Sequence, residues 1–191
     1  GYTAIKVGPF AVRDNVVNPT RDVREGAAAI RRMREVVGDD VDVLIDAHGL
    51  TTPTMAVDFA QQVAPARPMW IEECTQPEDL ATLAWVAQRS PVPLATGERL
   101  FTKWGFNDLI QQRAVAYIQP DVSHDGGILE TKKIAAMAEA KFIEVALHGA
   151  SSEVLTAANL HVDACTPNCH PGAPARQRGI AALDRAARPD D

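Results

Sequence analysis

Aromatic residues make up only 5% of the 191 residues, and there are just three cysteines, Cys74, Cys165 and Cys169, with no CxxC pair. An odd, dispersed cysteine count excludes a disulfide framework and points to a reducing, cytoplasmic setting. Cys165, Cys169 and His170 fall close together. Their spacing matches no standard zinc finger and no fourth ligand is evident, so they read as ordinary thiols and a loop histidine. Positive charge is also short. Nineteen Lys and Arg stand against 25 Asp and Glu, a net charge of −6, which excludes nucleic acid as the main partner because phosphate binding needs a basic surface. No run approaches the roughly 18 apolar residues that span a bilayer, so no membrane partner is expected. Gly1 opens the chain without the basic-then-apolar pattern of a leader peptide. What remains, 46% hydrophobic and 23% charged, is the composition of a folded domain.

Short apolar runs alternate with longer amphipathic ones. Strands are predicted over residues 3–7 (TAIKV), 41–46 (VDVLID), 69–72 (MWIE), 93–96, 116–119 (AYIQ) and 144–147 (EVAL). Helices are predicted over residues 21–37, 53–63, 77–89, 103–111, 127–140 and 152–163. In the first, Ala27, Ile30, Met33 and Val37 recur at helical spacing and Gly38 supplies a stop. Six strands rich in Val, Ile and Leu, each followed by a helix, define an α/β class with a parallel sheet covered by helices. Periodicity does not choose between a doubly wound sheet and a (β/α) barrel. The tail from Cys169 to Asp191 lacks a strand-like run, and residues 180–187 have the character of one or two helical turns.

The ends of the strands carry the chemistry. Asp46 closes VDVLID, Glu72 closes MWIE and Glu98 closes PLATGE, at two successive intervals of 26 residues. Asp121 follows after 23 residues and His148 after a further 27. In a parallel barrel or doubly wound sheet these ends share one face, where active sites form. A single acid after a strand is usually a helix cap or loop residue. Three at equivalent points would repel one another and raise each other's pKa unless a cation held them. An all-oxygen set suits a hard ion, so Asp46, Glu72 and Glu98 are the expected ligands of Mg²⁺. Glu73 competes with Glu72, but strand alternation sends the two to opposite faces. His48, two residues past Asp46, and His148 add acid–base capacity, with Asp121 placed to fix the His148 ring. His124 reads as a loop residue, and His161 and His170 have no comparable context.

These residues resemble the enolase superfamily, in its mandelate racemase and muconate lactonizing branch, and most closely the sugar-acid dehydratases of the galactonate dehydratase type. The matching segments are GYTAIKVG, IDAHG, WIEE, LATGERLF, YIQPDVSHDGGILETKKIAAMAEA and ANLHVDACTPN, from Gly1 to about Asn168. The resemblance implies a partial TIM-like (β/α) barrel of about six βα units over residues 1–168, from which the family's α+β capping domain and first barrel strand are absent. It implies Asp46, Glu72 and Glu98 as Mg²⁺ ligands. It implies His148 with Asp121 as the base that removes the proton α to a carboxylate, and His48 as the acid that assists departure of the 3-hydroxyl. The reaction so implied converts a small-molecule sugar acid (an aldonate) to a 2-keto-3-deoxy acid through an enediolate, in a protein that assembles as a homo-oligomer when intact. A non-catalytic remnant of such an enzyme, and a racemase or epimerase using the same two histidines, are the alternatives.

Several departures from the family pattern stand out besides the expected absence of the cap and of the first strand. Racemase relatives carry a KxK pair where this chain has Lys6 and Gly8, which disfavours a lysine base and shifts the reading towards a dehydratase. Cys74 replaces the usual proline after IEE, and GASSEV follows His148 in place of a proline-containing turn. After Asn168 the likeness ends: the family continues with an IQE-like run, whereas Ala173 stands where its Glu would be. Residues 169–173 can be encoded as TGC CAT CCA GGA GCA, which reads Cys-Ile-Gln-Glu once one C is removed after TGC. The divergent tail, residues 169–191, is therefore expected to be a frameshifted product, a true variant with its own tail being the alternative.

Overall fold

The computed structural model describes residues 3–10, 19–149 and 152–170. The tail beyond residue 170, including the turns expected over 180–187, lies outside them. Strands and helices alternate throughout: β1 (Ala4–Val7), α1 (Pro19–Val37), β2 (Asp42–Asp46), α2 (Pro53–Val63), β3 (Trp70–Glu72), α3 (Leu80–Ala87), β4 (Leu94–Thr96), α4 (Thr102–Gln112), β5 (Tyr117–Ile118), α5 (Ile128–Glu139), β6 (Glu144–Val145) and α6 (Glu153–Ala164). All neighbouring strands are parallel and follow one another in chain order from β1 to β6. This is the strand arrangement of part of a TIM-like barrel, the α/β class expected.

Local chemistry sets the helix boundaries. Thr52 accepts from the Met55 amide to cap α2, with Pro53 in the first turn where its missing N–H costs nothing. Ser152 caps α6 through the Leu155 amide. The helix expected from residue 77 begins only at Leu80, because the Asp79 side chain accepts from the Ala81 and Thr82 amides and so occupies the capping position. The last two strands are two residues each, shorter than expected. Pairing nonetheless continues past them as an isolated bridge of Asp121 with His148, and Val145 of β6 bridges to Cys169 on its other side. Beyond β6 the chain returns to the sheet edge: the Val145 amide donates to Asn168 O (2.8 Å) and the His170 amide to Val145 O (2.7 Å).

Strand alternation divides the apolar residues between two faces. Val43, Ile45, Ile71, Leu94, Ile118 and Val145 pack under the helices against Ile30, Phe59, Val86, Phe106, Ile134 and Val162. Ala4, Leu44, Trp70, Ala95 and Ala146 form a smaller cluster with Met69 and Tyr117 on the other face, the inside of the partial barrel. Three of these five are alanine, so the inner face has little bulk beneath the strand ends. Gly97 marks another close approach. At φ +139°, a Cβ there would lie 2.9 Å from both the Gln119 amide nitrogen and Phe106.

Phe59 is fully buried and its ring meets Phe10 edge-on at 4.7 Å, whereas Phe142 is 97% exposed. Phe59→Ala is expected to cost about 3–5 kcal/mol in urea-induced unfolding. Phe142→Ala is expected to fall within about 0.5 kcal/mol of the parent.

Candidate metal and acid–base site

Each expected site residue stands at or just beyond the C-terminal end of a strand. Asp46 and Glu72 are register partners across β2 and β3. Asp46, Glu72 and Glu98 each offer a carboxylate oxygen within 4.8 Å of the others, and among the described residues they are the one group of three or more His, Cys, Asp or Glu placed to share an ion. Oxygens around one Mg²⁺ at roughly 2.1 Å lie at most roughly 4.2 Å apart. The three therefore fit such an ion after drawing in slightly. Cys165, Cys169 and His170 form no such group. Cys169 is buried and its thiol is pushed up to about 12 by burial and by Asp163, the opposite of a metal-ready thiolate.

Lys6 is a member of this site that spacing did not single out. Its ammonium lies 2.5 Å from Glu72 Oε1 and 3.2 Å from Asp46 Oδ2. Burial works against its charge, but Glu72 and Asp46 outweigh that and raise its pKa. The available signal was alternation, since Lys6 is two residues from inward-facing Ala4. Glu72 is fully buried, and its second oxygen accepts from Trp70 Nε1 at 3.2 Å, two residues back on the same face.

His48 and His148 flank the carboxylates from two sides. His48 Nε2 lies 3.1 Å from Asp46 Oδ2, while the His48 amide donates to Asp46 Oδ1 at 3.0 Å. That second bond closes an Asx turn, which holds His48 at φ +51°, a conformation few non-glycine residues adopt. Asp46 resists protonation: burial opposes its charge, yet the His48 hydrogen bonds and the Lys6 charge hold it at about 2. His48 is raised in turn, chiefly by its bond to Asp46. A Cβ on Gly8 would come within 3.2 Å of the His48 ring. The missing side chain at position 8 is therefore what gives that ring its space.

His148 Nδ1 is 2.7 Å from Asp121 Oδ2, and its Nε2 is 3.3 Å from Glu98 Oε2. Asp121 is fully buried; its other oxygen accepts from the Ser123 amide at 2.8 Å and the Ser123 hydroxyl at 2.5 Å. Burial works against this carboxylate too, but the His148 and Ser123 bonds bring it down to about 2. With Nδ1 held by Asp121, Nε2 is the ring atom turned to the carboxylates. His148 is raised because Asp121 and Glu98 outweigh its burial. Glu98 is raised by burial and by Asp46, Glu73 and Glu72 in spite of His148. Burial is the larger cause, and the neighbouring carboxylates add to it.

Two further neighbours qualify the sequence reading. His124 is tied to this region, its Nδ1 lying 3.4 Å from Glu98 O. Asp125, four residues after Asp121, is fully buried and neither carboxyl oxygen has a hydrogen-bond partner. Burial, then Asp121 and Glu130, push it up to about 8. An acid raised above its unfolded value binds its proton more tightly when folded. Its contribution to stability is thus full below about 3.8 and is lost as pH rises towards about 8. Asp125→Asn is expected to gain on the parent across that window by at most roughly 1.4 kcal/mol per pH unit. Urea unfolding at pH 4.5 and 7.5 checks this; a gap that does not widen with pH contradicts it.

The profile of the Enolase C-terminal domain-like family matches residues 1–182. The chain is 36% identical over 148 residues to a D-galactonate dehydratase of Ralstonia pickettii, covering 78% of this chain and 39% of that protein. It is 36% identical over 157 residues to a D-mannonate dehydratase of a Sphingomonas species, covering 81% and 39%. An enolase from Agrobacterium radiobacter, solved with sodium and L-malate bound, superposes with a TM-score of 0.83 at 35% identity, covering 89% of this chain and 43% of that one. A mandelate racemase/muconate lactonizing enzyme-like protein from Rubrobacter xylanophilus gives 0.84 at 36% identity, covering 89% and 45%. The chain spans about two fifths of the length of the curated relatives it matches. With so much of its own length matched, in sequence and in fold, this chain belongs to the Enolase C-terminal domain-like family.

Proposed function

We propose that this chain carries the metal-ligand set and acid–base pair of a sugar-acid dehydratase. One observation carries the reading: three carboxylates within 4.8 Å of one another, with a His–Asp pair against Glu98 and a second histidine against Asp46. The dehydratase names of the relatives support the substrate class.

Asp46, Glu72 and Glu98 would hold Mg²⁺, which when bound supplies positive charge against the substrate carboxylate and so acidifies the adjacent C–H. His148, oriented by Asp121, takes the α-proton at Nε2. Asp121 stabilises the charged ring that results without itself accepting the proton. His48, on the Asp46 side, delivers a proton to the departing 3-hydroxyl. Loss of water then leaves an enol, which rearranges to the 2-keto-3-deoxy acid. Lys6 holds Glu72 and Asp46 in place as that charge shifts.

The test is incubation of the 191-residue chain with Mg²⁺ and a panel of aldonic acids in deuterium oxide. It follows both α-proton exchange and formation of a keto acid trapped by a carbonyl reagent. Exchange with keto-acid formation is expected, and His148→Asn should reduce exchange by about 10²–10⁴-fold. Exchange with inverted substrate and no keto acid would establish an epimerase instead. Mg²⁺ binding without exchange on any acid would establish a remnant that retains the metal site alone.

A further inference from the structure

Glu73 sits beside Glu72 in sequence, yet it turns away from the triad. Only 1% of it is exposed, at φ +50°, and both oxygens of its carboxylate accept from protein donors. One oxygen accepts from the Thr96 hydroxyl and, at 3.2 Å, from the Gly97 amide; the other accepts from Arg99 Nε. Arg99 continues outward, donating from Nη1 to Gln76 Oε1 at 2.6 Å and from Nη2 to Thr75 O at 3.1 Å. Gln76 Nε2 then donates to Gly49 O at 2.8 Å, and the Gly49 amide returns to Glu73 O at 2.8 Å.

The ring of contacts touches three chain segments: 46–49 after β2, 72–76 after β3 and 96–99 after β4. Each holds one of the three triad carboxylates. The fit is close, since a Cβ on Gly49 would lie 2.9 Å from Gln76 Nε2 and 3.0 Å from Arg99 Nη2. A guanidinium is suited to this place because its planar fork donates in three fixed directions at once, which an ammonium on a flexible stem does not.

We propose that the Glu73–Arg99–Gln76 clamp sets the separation of Asp46, Glu72 and Glu98, with Arg99 as its positioning residue. Arg99 pairs with Glu73 and none of its hydrogen bonds goes to the triad, so it acts through the segments it joins. The purpose of the clamp rests on the metal-site reading above; its existence rests on the contacts themselves.

Arg99→Lys and Gln76→Ala separate this role from simple charge balance. Lysine keeps the charge beside Glu73 but cannot serve Thr75 and Gln76 together. Gln76 is exposed, so its truncation leaves the core intact. Mg²⁺ affinity is measured by calorimetry on the full chain, and amide hydrogen exchange at Gly49 and Gly97 without added metal. Each variant is expected to bind Mg²⁺ about 10–100-fold more weakly. Exchange is expected to quicken at Gly49 in both variants and at Gly97 in Arg99→Lys. Parent-like affinity in Arg99→Lys, or exchange at Gly49 unchanged in both variants, overturns the clamp. If the parent itself binds no Mg²⁺, the metal reading fails and exchange alone decides: faster exchange at Gly49 in the variants sustains the clamp, and unchanged exchange ends it.

Discussion

Three carboxylates held within 4.8 Å of one another repel, and much of the surrounding structure answers that repulsion. Lys6 bridges two of them, Trp70 donates to one, and each histidine places a ring nitrogen against a different member. The offset is uneven. Asp46, with Lys6 and His48 beside it, keeps its proton off down to about 2, whereas Glu98 remains raised. Such a cluster is a cost to the fold, and its geometry suits a divalent cation that would supply the missing charge. A protein gains nothing from concentrating like charges on a buried face unless the site has work to do.

Parallel strands in unbroken order make the convergence possible. Because β1 to β6 neighbour one another in sequence order, their C-terminal ends lie along one rim, and a polar residue at each end faces its counterparts. Two of these ends finish alike. Asp46 and Asp121 each accept from the amide two residues on, at His48 and Ser123, so the turn that ends the strand also fixes a carboxylate. Alternation does the rest: Glu72 faces Lys6, and Glu73, one residue on, faces Arg99.

The triad and the His–Asp pair were legible in the sequence because each depends on one residue at one strand end, and strand ends recur at regular intervals. Other features lack that regularity. Lys6 lies mid-strand and has no interval to mark it. Arg99 and Gln76 are loop residues whose meeting depends on how two turns fold over each other, which no periodicity encodes. Asp125 sits beside the Gly126–Gly127 turn, and no periodicity marks it as buried. Helix ends were legible to within a few residues, and the late start of α3 reflects Asp79 capping a turn that propensity alone would have made helical.

Glycine at position 8 has a spatial consequence that joins strand β1 to the site. Lys6 and Gly8 alternate onto the same face, so a side chain at either points into the site. At position 6 that side chain reaches Glu72 and Asp46. At position 8 even a single carbon would crowd His48, lying 3.2 Å from Cε1 and 3.3 Å from Nδ1. A side chain there requires the His48 ring to give way by a few tenths of an ångström. The His48 backbone is held by the Asp46 turn at a positive φ, and its ring nitrogen meets Asp46 Oδ2 at 3.1 Å. Glycine at this position thus leaves room for an imidazole on the Asp46 side of the site, with Nε2 against the Asp46 carboxylate.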